Sequence, residues 1–146
     1  MARHGGPSTR RTVLISGGGI AGLTLAYWLH YHGLQPAIVE QAPHLRTEGY
    51  EIDFAGSGWD VAERMRLIPE LRERQNTVPW FIFKDGAGRT LARLPTAVFL
   101  RAFQNQMVQI MRPDLEAALY ETIRDTVPIR FGTSIRQVSR RVTMSW

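Results

Sequence analysis

The residue types and spacings best suited to chemistry in this sequence are three glycines and one acid: Gly17, Gly19, Gly22 and Glu40. The glycines fit G-x-G-x-x-G, and Glu40 stands eighteen residues beyond the last of them. Gly17 permits a tight turn out of a strand, and Gly19 lets a pyrophosphate approach the backbone. Gly22 lets the following helix lie close on that strand. The helix would aim unpaired N–H groups and a partial positive charge at the phosphates. An acid at the distance of Glu40 can accept hydrogen bonds from an adenosine ribose. The combined chemistry is that of dinucleotide binding, and the acid disfavours a 2′-phosphate, hence NADP, at this site.

Those residues need a strand, a helix and a second strand in order, and the sequence supplies them. Val13-Leu14-Ile15 is an apolar run short enough for one buried strand. A helical segment follows over about 20–32 and stops at Gly33, a natural residue just past a helix end. Ala26, one turn after Gly22, keeps the helix–strand contact small. Residues 36–39 form the second strand, which ends in Glu40. A lone G-x-G-x-x-G is a weak signal, but strand, loop, helix, strand and terminal acid in succession set it apart from a bland βαβ unit.

After a polar loop through Arg46, Tyr50, Ile52 and Phe54 alternate with Glu51 and Asp53, which predicts a strand. Ser57 and Asp60 match a capping box that should open a helix, with Val61, Met65 and Ile68 as its apolar stripe. Pro69 suits the first turn of another short helix, over about 70–74. Residues 78–83 and 90–94 flank Lys84-Asp85-Gly86-Ala87-Gly88-Arg89 as a β-hairpin, and 107–111 reads as a further strand. Arg112-Pro113-Asp114-Leu115 then opens a helix whose Leu115, Ala118, Leu119, Thr122 and Ile123 share one face. Ile129-Arg130-Phe131 reads as a returning strand, parallel to the first two. Residues 139–146 could add one more alternating strand.

Bulk properties narrow the function classes. With 146 residues, 44% hydrophobic and 21% charged, the chain is one small globular domain or part of one. A net charge of +5 raises the question of nucleic acid, but the arginines are scattered and no basic run is interleaved with aromatics. No nucleic-acid partner is expected. The absence of cysteine excludes disulfides, thiolate catalysis and cysteine-based metal sites. His30 and His32, two apart on a helix, diverge and make no metal pair. No apolar run reaches the roughly 20 residues of a membrane helix. Arg10-Arg11 before an apolar stretch only superficially resembles a twin-arginine signal, since glycines cut that stretch, so a cytoplasmic protein is expected.

The residues also resemble a known family, the FAD-dependent aromatic-ring hydroxylases that include para-hydroxybenzoate hydroxylase and tetracycline-modifying monooxygenases. The resemblance is carried by Gly17-x-Gly19-x-x-Gly22, by Gly49-Tyr50-Glu51-Ile52-Asp53 followed by Asp60-Val61-Ala62-Glu63-Arg64, and by Arg112-Pro113-Asp114-Leu115. It implies FAD as cofactor, NADH or NADPH as co-substrate, and a small aromatic molecule as substrate. By the same resemblance Gly17, Gly19 and Gly22 would hold the pyrophosphate and Glu40 the adenosine ribose. Asp53 matches an acidic position near the flavin end, Arg112 an arginine that contacts the cofactor, and Arg46 a loop position that in some relatives contacts nicotinamide cofactor. Gln41 replaces a common arginine, and Pro113 stands where a small residue is usual. Relatives run to several hundred residues and carry two further motifs downstream, an Asp-Gly segment linked to both cofactors and a Gly-Asp segment near the flavin ribityl chain, neither of which is matched here.

The expectation is therefore an α/β chain with a Rossmann-like three-layer fold on a parallel sheet. Residues 1–10 should be a disordered tail and 11–146 a partial FAD-binding domain, with 78–111 a β-rich substrate-side insertion. The expected function is the FAD-binding N-terminal part of a flavin-dependent monooxygenase, with no catalytic acid or base and no metal ligand among these residues. An NAD-linked oxidoreductase, a non-catalytic nucleotide-binding module and an inert remnant of a truncated or frame-shifted gene are the alternatives.

Overall fold

The computed structural model describes residues 11–76 and 78–139. In chain order its elements are β1 (Thr12–Ser16), α1 (Ile20–Tyr31), β2 (Gln35–Val39), β3 (Glu51–Ala55), α2 (Ser57–Arg64), α3 (Ile68–Glu73), β4 (Trp80–Lys84), β5 (Thr90–Pro95), α4 (Thr96–Ala102), β6 (Met107–Met111), α5 (Arg112–Glu121) and β7 (Ile129–Arg130). They group into two compact units, Met1–Leu45 with Leu119–Trp146, and Arg46–Ala118.

The first unit carries a parallel sheet in the order β1-β2-β7. Thr12 pairs with Gln35 and Ser16 with Val39, so α1 is the crossover of a βαβ unit. The returning strand is present and parallel, as Ile38 pairs with Ile129 and Val39 with Arg130. Gly33 ends α1 at φ +80°. Its N–H donates to the His30 carbonyl and that of Leu34 to the Leu29 carbonyl, which satisfies the last carbonyls of the helix. Leu23, Ala26, Ile38, Ile123 and Val127 are buried. Each large aliphatic among them contributes about 1.5–3 kcal/mol. Together with the family evidence below, this is the α/β, Rossmann-like arrangement that the sequence predicts.

The second unit pairs β3 with β6 antiparallel, Glu51 opposite Met111 and Asp53 opposite Gln109. Residues 107–110 are all buried, so β6 is the inner strand. The hairpin of β4 and β5 forms around the expected turn, with Trp80 opposite Pro95.

Three local expectations need correction. Ser57 does not cap α2: the N-cap is Gly56, at φ +62°, and no side chain bonds the first turn. The buried residues there are Trp59, Ala62 and Met65, while Val61 is only half-buried, because Trp59 takes the buried side of α2, and Ile68, also half-buried, lies beyond α2 as the first residue of α3. The helix α4 was not expected. It starts after Pro95, whose fixed φ admits a helix start, and the Thr96 hydroxyl donates to the Val78 carbonyl. The expectations for residues 1–10 and for the strand through 140–146 lie outside the described residues.

Candidate dinucleotide site

β1 ends at Ser16, and the chain must turn at once to enter α1. Gly17 makes that turn at φ +110°, a conformation side chains resist, while its N–H donates to the Val39 carbonyl at 2.8 Å. Gly19 is the N-cap of α1, with extended backbone, and its carbonyl accepts from Leu23 N–H. No side chain caps the helix and no acid stands in its first turn. The first N–H groups thus have no competing carboxylate from α1 itself.

Gly22 is required on steric grounds alone. A Cβ there would lie 1.9 Å from the Gly17 carbonyl oxygen and 3.5 Å from Ile15 Cγ2. The helix therefore crosses the turn at a distance that only hydrogen allows. The result is a backbone cradle at the carboxyl end of β1, open to a group that needs close approach.

Glu40 closes the cradle from the end of β2. Its carboxylate accepts the Gly18 N–H at 2.6 Å and the Ala42 N–H at 2.8 Å. Its own backbone is held by Arg130 and Thr133. A carboxylate oxygen can accept more than one hydrogen bond, so these contacts are compatible with further donors such as ribose hydroxyls. Gly18 was not singled out by sequence spacing. A Cβ on it would meet Glu40 Cβ at 3.1 Å. The run of three consecutive glycines was the available signal.

The other candidates belong to the second unit. Asp53, exposed on β3, accepts from Gln109 Nε2 across the strand pair at 3.1 Å. Arg112 begins α5, where its N–H donates to the Tyr50 carbonyl at 3.0 Å and continues the β3–β6 ladder. Its Nε donates to Glu116 Oε1 at 3.1 Å. Asp53 and Arg112 are thus carried by one strand pair. Gly49 makes room for this start of α5, since a Cβ there would meet Pro113 Cδ at 2.8 Å. That contact pairs two of the motifs, and accounts for glycine opposite the unusual proline. Arg46 lies exposed outside any helix or strand. Among the described residues no helix is long and apolar enough to cross a membrane.

Comparison with known proteins fits this geometry. The family described as the FAD binding domain matches residues 12–125. The FAD-dependent monooxygenase asL4 of Sarocladium schorii is 34% identical over 127 residues, which cover 84% of this chain and 29% of that protein. The crystal structure of tetracycline destructase Tet(55) superposes with a TM-score of 0.74 at 30% identity, over 92% of this chain and 33% of that one. The structure of CtdE in complex with FAD shares the fold at a TM-score of 0.73 and 20% identity, over 91% of this chain and 33% of that one. The chain therefore spans about a third of the length of these proteins.

Proposed function

The chain belongs to the FAD-binding domain family that matches it over residues 12–125, and on that premise we propose that it is the FAD-binding part of a flavin-dependent monooxygenase that hydroxylates a small aromatic molecule with NADH or NADPH and oxygen. The observation that carries the proposal is the hydrogen bond from Gly18 N–H to Glu40, which ties the glycine turn and the strand-end acid into one site. Ligands of α/β sheets bind at such carboxyl strand ends. The name of asL4 gives FAD-dependent monooxygenation, and that of Tet(55) gives a small organic molecule, tetracycline, as what that protein acts on.

In this reading the first N–H groups of α1 face the pyrophosphate, Gly19 keeps a side chain out of its way, Gly17 and Gly22 shape the turn that holds it, and Glu40 takes the adenosine ribose. Arg112 offers its guanidinium to phosphate or ribose oxygens by charge-assisted bonds. Asp53 serves the flavin end and Arg46 the nicotinamide co-substrate. Bound flavin would supply the redox chemistry, accepting electrons from reduced nicotinamide and delivering them to oxygen. The chain's own contribution is to bind and orient. We assign none of these residues to proton transfer.

Gel filtration of the purified chain after incubation with FAD tests the proposal. Flavin absorbance should travel with the protein, and a large excess of NAD should not displace it. Co-elution that NAD abolishes at equal concentration would favour an NAD-linked oxidoreductase instead.

A further inference from the structure

Buried polar side chains are few among the described residues: Thr96, Gln109 and Glu116. Glu116 is the ionisable one, at 3% exposure. Helix stability does not account for it. Its pair with Arg112 places the cation four residues ahead of the acid, the less favourable order along a helix, and sets that cation where the α5 macrodipole opposes it. A buried carboxylate is costly, and an apolar side chain of similar volume would serve packing as well or better.

What the pair achieves is orientation. Glu116 holds Arg112 by Nε, the innermost guanidinium nitrogen. That bond engages Nε and leaves outside it the two Nη groups, four N–H donors in a planar fork. The Arg112 side chain is 35% exposed, so that fork can meet a ligand. The other end is anchored as well, by the bond from Arg112 N–H to Tyr50 and by Pro113 fixing the helix start.

We propose that Glu116 is a positioning residue: it fixes the Arg112 guanidinium so that both Nη groups are presented to phosphate or ribose oxygens of FAD. This rests on the reading that Arg112 contacts the cofactor. Packing alone would not require a carboxylate at position 116.

The test is a double-mutant cycle on the 146-residue chain, read by flavin fluorescence titration, with melting temperatures taken without FAD. Glu116→Leu should weaken FAD binding on the order of tenfold, while the melting temperature holds or rises. Glu116→Gln should keep most of the affinity, because its carbonyl oxygen still accepts from Nε. In an Arg112→Ala background, Glu116→Leu should cost nothing further. Glu116→Met replaces Glu116→Leu in the cycle if leucine disturbs folding. Equal weakening by Glu116→Leu with and without Arg112 would overturn the positioning role, as would unchanged affinity in the wild-type background. If Arg112→Ala itself leaves FAD affinity unchanged, the reading of Arg112 as a cofactor contact fails, and this proposal with it.

Discussion

At the scale of single residues, Gly22 and Glu40 each have a task that holds without any ligand. A methyl group at position 22 would press into the Gly17 carbonyl at 1.9 Å, so Gly22→Ala should destabilise the unliganded chain by about 1–3 kcal/mol. Thermal denaturation without FAD measures this, and an unchanged melting temperature would show that α1 can retreat. Glu40→Ala should lower the same stability by about 1–2 kcal/mol, because the Gly18 and Ala42 amides lose their acceptor. The cofactor role proposed for Glu40 rests on its place after an apolar strand, which the sequence displays. Its structural role was not, because Gly18 lies twenty-two residues away and their contact needs the folded sheet. Glu116 was hidden for a related reason. Next to Leu115 on an amphipathic helix it reads as solvated, and only the structure shows it buried at 3% exposure.

Whole elements were legible where their signals are local. The βαβ unit is written in an apolar run, a glycine turn, a helical period and Gly33, all within one stretch of chain. The hairpin of β4 and β5 was equally plain from its turn. Asp85 organises that turn by accepting Ala87 N–H and Arg89 N–H on Oδ1 and Arg89 Nε on Oδ2. The Arg89 backbone bond, then its side chain, holds the Asp85 carboxyl below the ordinary aspartate value. A carboxyl with a depressed folded-state pKa stabilises the fold above its unfolded value, and that contribution is lost as pH falls through the lowered one. The turn should therefore loosen only in acid below the usual carboxylate range. Amide exchange at Ala87 and Arg89 followed against pH checks this, and Asp85→Ala should loosen the turn at neutral pH and remove the dependence. Elsewhere local signals misled. The capping box at Ser57 yielded to a positive-φ glycine one residue earlier. The pairing of β3 with β6 joins segments some fifty residues apart, beyond the reach of any periodicity.

At the scale of the whole chain, several large apolar side chains among the described residues are exposed. Leu14 is 56% exposed on the face of β1 opposite buried Ile15, and Ile82, Phe83 and Leu91 are exposed on the hairpin. Parallel sheets are normally covered on both faces, and exposed apolar patches favour association. Sedimentation of the chain should show self-association that grows with concentration, and Leu14→Lys should reduce it. The central claim, that the 17–22 turn is an FAD pyrophosphate site, is tested most directly by calorimetric titration of FAD into the chain and into Gly19→Val. Saturable binding by the unaltered chain and none by the folded variant is the predicted result. Equal affinity in the two would contradict it.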